Sequence, residues 1–262
     1  MLDAWLDLVH GSRCVGCARP GRLLCSRCAG TLPRSGIPVR PTPCPPGLAP
    51  CRAAGEYAGL LRALVLAHKE QRAFGLARPL GTLLADVLDD ILDVLRAGRP
   101  HRPAGAGRSL VLLVPVPSRA AVVRQRGHDP MLRVAHRASP LLRARGHAVR
   151  TAPLLRQRLR VGDQAGLTAA QRADNLADSL AVPPAAQRAV ARLGARLGAS
   201  VVTVVCDDVL TTGATAREAQ RALEDVGLPV GAVACLTATR RLHPAGRPAA
   251  GPAALPFSTD PD

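Results

Sequence analysis

Residues 201–215 constrain the fold of this chain more than any other stretch. An apolar, mostly β-branched run from Val201 to Cys206 is followed by Asp207, Asp208 and a loop of small and hydroxyl-bearing residues. Such near-continuous apolar character is typical of a central strand in a parallel sheet that is covered on both faces. In open α/β sheets, ligands bind beyond the carboxyl ends of the strands, where these two acids fall. The sequence therefore predicts an α/β fold with a ligand site at this strand end.

The loop after the acids has the chemistry of an anion site. It runs into a predicted helix over 216–223, for which Thr215 is the expected N-cap and Glu218 completes a capping box. A helix N-terminus offers free N–H groups and a positive dipole end to an anion. Two adjacent carboxylates accept hydrogen bonds from vicinal hydroxyls, and a ribose 5-phosphate carries both hydroxyls and phosphate. The alternative is that the acids only cap a solvated turn.

The order of apolar strand, two acids and small hydroxyl-rich loop resembles the PRPP-binding signature of type I phosphoribosyltransferases. The resemblance implies that Asp207 and Asp208 hold the ribose hydroxyls and that the loop backbone holds the 5-phosphate. It also implies Mg²⁺, bound together with PRPP. The loop residues so implicated are Thr211, Thr212, Gly213, Ala214 and Thr215.

Four cysteines near the start of the chain form two C-x-x-C pairs with seven residues between them: Cys14, Cys17, Cys25 and Cys28. Each pair brings two thiolates to one point, and two pairs complete a tetrahedral shell, so we expect a structural Zn²⁺. A redox pair or free thiols are the alternatives. Cys44 and Cys51 lack the two further ligands that a second metal would need, and their role stays open.

Positive charge is concentrated in one part of the chain. The formal net charge is +16, and residues 102–160 contain thirteen arginines and a single acid, Asp129. Such a block predicts a polyanionic partner, either pyrophosphate groups or a nucleic-acid backbone. Aromatic residues are only 2% of the chain, so single-stranded DNA would be held through its backbone and not by base stacking. The alternative is an ordinary arginine-rich surface.

The middle of the chain predicts further elements of an α/β domain. Helical apolar spacing covers 60–68 and 76–95, and buried strands are predicted over 109–114 and 230–237. After the first of these strands come two prolines and then an arginine-rich segment that ends at a glycine. The segment suits a loop that closes over an anionic ligand, and an exposed basic loop is the alternative. Lys69, the only lysine of the chain, is expected to have a specific role.

Several motifs together resemble the ComF family of phosphoribosyltransferase-like proteins, which are associated with natural competence. They are V-P-V-P at 114–117, R-x-R-G-H-D at 124–129, Gln164-x2-Leu167-x4-Arg172-x2-Asn175, and Glu56-Tyr57-x-Gly59 leading to Lys69. The resemblance spans about residues 14–239 and includes the cysteine pairs. It implies a pyrophosphate and flexible-loop set of Pro115, Val116, Pro117, Lys69, Arg124, Arg126 and Gly127.

Two departures from that family affect local detail. Its loop commonly reads R-G-F-N-Q, whereas this chain has Arg126-Gly127-His128-Asp129-Pro130. A second cysteine pair often found there is reduced to Cys44 and Cys51.

These patterns predict three parts: a zinc-knuckle module and linker (1–52), a phosphoribosyltransferase-like domain of parallel sheet and flanking helices (53–240), and a disordered tail (241–262). The sequence contains no apolar stretch long enough to span a bilayer, and its first residues are acidic where a signal peptide is basic. We therefore expect a cytoplasmic protein. Sites of this fold often lie near a subunit interface, so an oligomer is compatible with it.

The expected function is binding of Mg-PRPP or a related sugar phosphate, with phosphoribosyl transfer to an unidentified acceptor and a link to DNA uptake or recombination. No aromatic residue follows the last predicted strand, which disfavours a nucleobase acceptor. The alternative is a non-catalytic protein that uses this fold and a basic surface to bind nucleic acid. A glutamine-dependent amidotransferase is disfavoured, because no cysteine nucleophile begins the chain.

Overall fold

The chain folds around a six-stranded, mostly parallel sheet. The computed structural model describes residues 12–97, 110–158, 178–197 and 201–239. Along the chain the strands are β1 (Ile37–Val39), β2 (Cys51–Ala53), β3 (Leu110–Pro115), β4 (Val149–Thr151), β5 (Arg156–Gln157), β6 (Leu180–Ala181), β7 (Val201–Leu210) and β8 (Val230–Ala238). The order in the main sheet is β1-β2-β8-β7-β3-β4, with only β1 antiparallel to its neighbour. Strands β5 and β6 form a separate antiparallel pair.

The helices are α1 (Ser26–Gly30), α2 (Gly59–Glu70), α3 (Ala77–Ala97), α4 (Ala120–Arg126), α5 (Pro130–Ala144), α6 (Pro184–Leu197) and α7 (Ala214–Glu224). A short 3₁₀ turn, Phe74–Leu76, joins α2 to α3. The periodicity of the sequence predicted α2 and α3. Helix α2 begins one residue before and ends two residues after the predicted range 60–68, and α3 begins one residue and ends two residues later than the predicted range 76–95. Gly81 of α3 packs against α5 so closely that an added side-chain carbon would overlap Arg137.

Both faces of the sheet are covered, as the apolar strands predicted. One face packs against α2, α3 and α5, and the other packs against α6 and α7. Neighbouring residues of β7 point to opposite sides: Val204 and Cys206 contribute to the first core, and Val205 contributes to the second. This alternation explains why the strand is apolar at successive positions.

The connections reverse direction between β3 and β7. From β3 the chain passes through α5 to β4 on one side, and from β7 it passes through α7 to β8 on the other. Since α5 and α7 lie on opposite faces, a crevice opens beyond the carboxyl ends of β3 and β7. Such a switch point is where open α/β sheets bind ligands.

Three sequence expectations change in detail. Helix α7 begins at Ala214 with Gly213 as its N-cap, so the capping box of Thr215 and Glu218 was wrong. Glu218 instead accepts hydrogen bonds from Arg221 and from the N–H of Leu180, because its buried carboxylate needs these partners. The arginine-rich segment that we expected to be a loop contains a helix, α4, which ends at Gly127 with a φ of 79°.

The N-terminal part contributes to the main sheet. Strand β1 lies within the predicted linker, and β2 pairs with β8. The domain boundary expected between residues 52 and 53 therefore falls inside β2. The predicted tail and the motif at 164–175 lie outside the described residues.

Candidate functional site

Asp207 and Asp208 occupy the open end of β7. The register of β3 with β7 stops at Pro115 opposite Cys206, whereas β7 continues to pair with β8 as far as Leu210. The acids therefore lie within the strand, not after it, and they extend past the end of β3 into the crevice. The N–H of Asp208 donates to Oδ1 of Asp207 at 2.8 Å. This bond holds the first carboxylate in place.

The environment of Asp207 favours its protonated form. Burial, and then the negative charge of Asp208, raise the pKa of Asp207 to about 7. The side chain of Asp208 is 15% exposed, and the hydroxyl of Thr237 donates to its backbone carbonyl at 3.1 Å. A carboxyl with a raised pKa beside a partly exposed carboxylate can hold or release a proton near neutral pH, or bind a cation once both are ionised.

Lys69 points into the same site from the last turn of α2. Its Nζ lies 2.5 Å from Oδ2 of Asp208, and its side chain is 33% exposed. Burial by itself lowers the pKa of Lys69, but the charges of Asp208 and Asp207 outweigh that effect, so the pKa is raised. The ammonium therefore stays charged at the candidate site.

Residues 211–215 connect the end of β7 to α7 and include the first two residues of that helix. Gly213 has a φ of 73°, and a side-chain carbon there would come within 2.9 Å of Leu48 and Pro41. In the described part of the chain no acceptor receives the backbone N–H of Thr215 or Ala216. Free amides at the start of an eleven-residue helix provide donors for an anion.

Strand β3 ends at the other side of the crevice, and hydrogen bonds hold the segment 115–118 that follows it. The N–H of Val116 donates to the carbonyl of Cys206 at 2.9 Å, and Gln157 donates to the carbonyl of Pro117 at 3.2 Å. Asp129 accepts hydrogen bonds from Ser118 and from Leu132 at the start of α5. Asp129 is thus a helix cap, although it is the single acid of the arginine block.

Helix α4 is attached to the end of α2 by contacts that involve Glu70 and Arg72, which the sequence analysis did not identify. Arg126 donates to both carboxylate oxygens of Glu70 at 2.6 and 2.7 Å, and Arg72 donates to the carbonyl of Gln125 at 2.8 Å. Arg124 is exposed. Because Glu70 follows Lys69 directly, two neighbouring residues contact the acidic pair and the arginine helix. In the sequence, the signal for these two contacts was the pair of adjacent opposite charges, Lys69 and Glu70.

A small cavity of about 240 Å³ lies at the carboxyl edge of β7 and β8. Leu210, Ala238 and Thr239 line it together with Gly55, Glu56 and part of the segment 37–41. The N–H of Tyr57 donates to the carbonyl of Ala238 at 2.8 Å, so an aromatic residue does lie beside the end of the last strand. Its ring packs against the core on the α2 side. The sequence analysis had placed no aromatic residue near this edge.

The four early cysteines come together as the spacing predicted. One ligand atom from each of Cys14, Cys17, Cys25 and Cys28 lies within 4.8 Å of the others. A tetrahedral Zn²⁺ with bonds of about 2.3 Å separates its sulfur ligands by about 3.8 Å, and Cys17 Sγ lies 3.6 Å from Cys25 Sγ. The four residues therefore fit a zinc ion.

Local backbone donors lower the pKa of Cys14 and Cys25, whereas the side-chain hydrogen bond with Cys25 raises the pKa of Cys28 to about 12. The N–H of Cys25 points to Cys14 Sγ at 3.4 Å, and the N–H of Cys28 points to Cys25 Sγ at 3.5 Å. Burial alone would raise the pKa of Cys14, but backbone donors outweigh it and lower the pKa to about 6. The cluster is the only such group of metal-ligating side chains among the described residues, so Cys44 and Cys51 belong to no second one there.

None of the helices in the described ranges has both the length and the apolar character that a bilayer span requires. No protein-family model matches the chain, and a search of curated proteins finds no match to it.

Proposed function

We propose that this protein binds Mg-PRPP, or a related ribose 5-phosphate, at the carboxyl ends of β3 and β7, as a ComF-like member of the type I phosphoribosyltransferases. The observation that carries the proposal is the position of Asp207 and Asp208 beside the free amides of the 211–215 loop. Both groups lie at the switch point of the sheet, and together they match the hydroxyls and phosphate of one ligand.

Each part of the site has a distinct role in this proposal. The free amides of Thr215 and Ala216 in the first turn of α7 bind the 5-phosphate, and the carboxylates of Asp207 and Asp208 accept hydrogen bonds from the ribose hydroxyls. Oxygen ligands of this kind also suit Mg²⁺, which would neutralise pyrophosphate charge when bound. Oδ2 of Asp208 is paired with Lys69, and Oδ1 has no partner in the described part of the chain.

The basic residues around the crevice suit a pyrophosphate leaving group. Lys69 supplies a charged ammonium, and α4 carries Arg124 and Arg126 next to the strand end 115–117. Positioned cations stabilise the negative charge that develops as the glycosidic bond breaks. The cavity at the edge of β7 and β8 is the candidate position for an acceptor. At about 240 Å³ it is smaller than a typical drug-sized pocket, and only Arg40 and Glu56 bring charge to its lining.

Calorimetry with Mg-PRPP tests the proposal. The wild-type protein should bind, and Asp207→Asn/Asp208→Asn should bind at least about tenfold more weakly, because each good polar contact contributes on the order of 1.4 kcal/mol. Asp225→Asn provides a control, since it removes an exposed acid at the other end of α7. Equal heats from the wild type and the double variant would reject the site.

A second candidate function is nucleic-acid binding without catalysis, linked to DNA uptake or recombination. Of the ten arginines in the described part of the basic block, only Arg126 and Arg145 pair with carboxylates. The other eight have no carboxylate partner among the described residues, although Arg156 donates to two backbone carbonyls, so their positive charge can attract phosphates. Electrophoretic shift with single-stranded DNA over a salt series tests this function. Affinity should fall steeply as salt rises, and no shift at low salt would reject it.

A further inference from the structure

A groove lies between α3 and α5, and neither Asp207 nor Asp208 lines it. Its volume is about 450 Å³, and its lining includes Arg78 from α3 and Arg133 and Arg137 from α5. These arginines approach the groove from both of its walls. No carboxylate in the described ranges lies within ion-pairing distance of any of the three. The groove therefore holds three positive charges that the described part of the protein leaves without counter-charges.

Phe74 supports one of these guanidinium groups. Arg133 lies over the Phe74 ring at 4.7 Å, and His128 meets the same ring edge to face at a centroid distance of 4.7 Å. These contacts leave Phe74 poorly placed to stack with a base, although the residue is 41% exposed. The ring instead orients Arg133, so the groove is built to recognise charge and not a flat ring.

Two buried polar atoms beside the groove lack hydrogen-bond partners in the described part of the chain: Arg133 Nε and His128 Nε2. His128 is only 6% exposed, and it lines an adjacent concavity of about 500 Å³ that shares Arg133 and Arg137 with the groove. Unsatisfied buried polar groups are rare and costly. Nδ1 of His128 lies 3.4 Å from the carbonyl of Arg126; because a carbonyl only accepts, Nδ1 is the donor of the neutral ring and Nε2 is an acceptor. The unsatisfied donor is therefore Nε of Arg133, and a ligand with several acceptor oxygens would meet the guanidinium of that residue, which lines the groove.

We propose that the groove between α3 and α5 is a binding site for a compact oligophosphate anion, separate from the ribose-phosphate site. Convergence of Arg78, Arg133 and Arg137 on one open groove matches a short chain of phosphates, since guanidinium groups bind phosphate oxygens in bidentate pairs. A nucleic-acid strand would instead bind to basic side chains arranged in a line along its backbone.

Calorimetry with sodium tripolyphosphate on the full chain tests the proposal. The wild-type protein should bind one tripolyphosphate in this groove, and Arg133→Ala/Arg137→Ala should weaken that binding by about tenfold or more. Arg143→Ala is the control, because it removes one arginine charge from the same helix outside the groove and should change affinity less than about twofold. Thermal unfolding of each variant checks that it is folded.

A second variant separates a shaped site from general positive charge. Thr82 is exposed and lines the groove, so Thr82→Trp obstructs part of the volume and leaves every arginine in place. The proposal predicts that this variant also loses tripolyphosphate binding. Unchanged binding in Thr82→Trp, or equal losses in Arg143→Ala and Arg133→Ala/Arg137→Ala, would show non-specific attraction and overturn the proposal.

Two further experiments test whether tripolyphosphate binds at another site and whether the groove binds nucleic acid instead. Asp207→Asn/Asp208→Asn should keep tripolyphosphate binding at the groove even if Mg-PRPP binding is lost, so the two sites succeed or fail independently. If Gly213→Val abolishes tripolyphosphate binding and the groove variants do not, the anion binds at the phosphate loop and the groove proposal is wrong. Binding of an oligothymidylate that requires the groove arginines, without binding of tripolyphosphate, would assign the groove to nucleic acid instead.

Discussion

Nζ of Lys69 lies 2.5 Å from Oδ2 of Asp208, although the two residues are 139 positions apart in the chain. The only lysine of the protein thus ends beside one of the two acids at the candidate site. Both acids are partly buried, and Lys69 places a positive charge beside them.

Replacing Lys69 should destabilise the protein through these acids. Lys69→Met keeps the length of the apolar stem but leaves Asp208 unpaired, and we expect a loss of about 1–3 kcal/mol, because the pair is intermediate between exposed and buried ion pairs. Denaturant unfolding measures the loss. In a double-mutant cycle, Asp208→Asn should cost less in the Lys69→Met background than in the wild type. Additive losses would mean that the two side chains do not interact.

The raised pKa of Asp207 predicts how stability depends on pH. With a pKa near 3.8 unfolded and about 7 folded, the folded state holds a proton that the unfolded state has released between these values. The contribution of Asp207 to stability therefore falls as pH rises from about 4 to 7, and it levels off above. Unfolding free energies over this range should decrease more steeply in the wild type than in Asp207→Asn. Parallel profiles would contradict a raised pKa.

Gly213 should tolerate alanine less well than another glycine with the same backbone conformation. Gly213 and Gly227 have φ values of 73° and 75°, and placing alanine at either costs about 1–2 kcal/mol in the left-handed region. At Gly213 the added carbon also meets Leu48 and Pro41, whereas Gly227 has open space. Overpacking of this kind adds about 1–3 kcal/mol. Thermal and denaturant unfolding of Gly213→Ala and Gly227→Ala measure the difference, and equal losses would exclude the close packing.

The four-cysteine cluster should bind one zinc ion per chain. Metal analysis of Cys17→Ser should show zinc content falling from about one atom per chain to near zero, because a tetrahedral structural site needs all four ligands. Cys44→Ser is the control and should retain zinc, since Cys44 lies outside the cluster. A chelator should lower the melting temperature of the wild type. Well under one zinc atom per purified wild-type chain would count against this site.

The local patterns of the sequence predicted the parts of the protein whose determinants lie close together in the chain. Cys14 to Cys28 span a short segment, so the turns within each pair already bring the sulfur atoms near one another. The β-branched run before Asp207 likewise specified a buried strand. The capping box predicted for α7 was wrong, because Glu218 accepts hydrogen bonds from Arg221 and from the N–H of Leu180. These contacts take the place of a local capping bond.

Only the tertiary structure decided how distant charged residues meet. The ion pairs of Lys69 with Asp208 and of Glu70 with Arg126, and the convergence of Arg78 with Arg133 and Arg137, all depend on which strands become neighbours. Periodicity along a chain reports whether a residue faces the core, but it carries no information on strand order or crossover side. The sequence by itself therefore determined the strand, the acids in it, the small-residue loop that follows and the clustering of the four early cysteines. The tertiary structure decided that a lysine would pair with one of the acids, that an arginine of α4 would pair with the glutamate next to that lysine, and that three arginines would meet in a separate groove between α3 and α5.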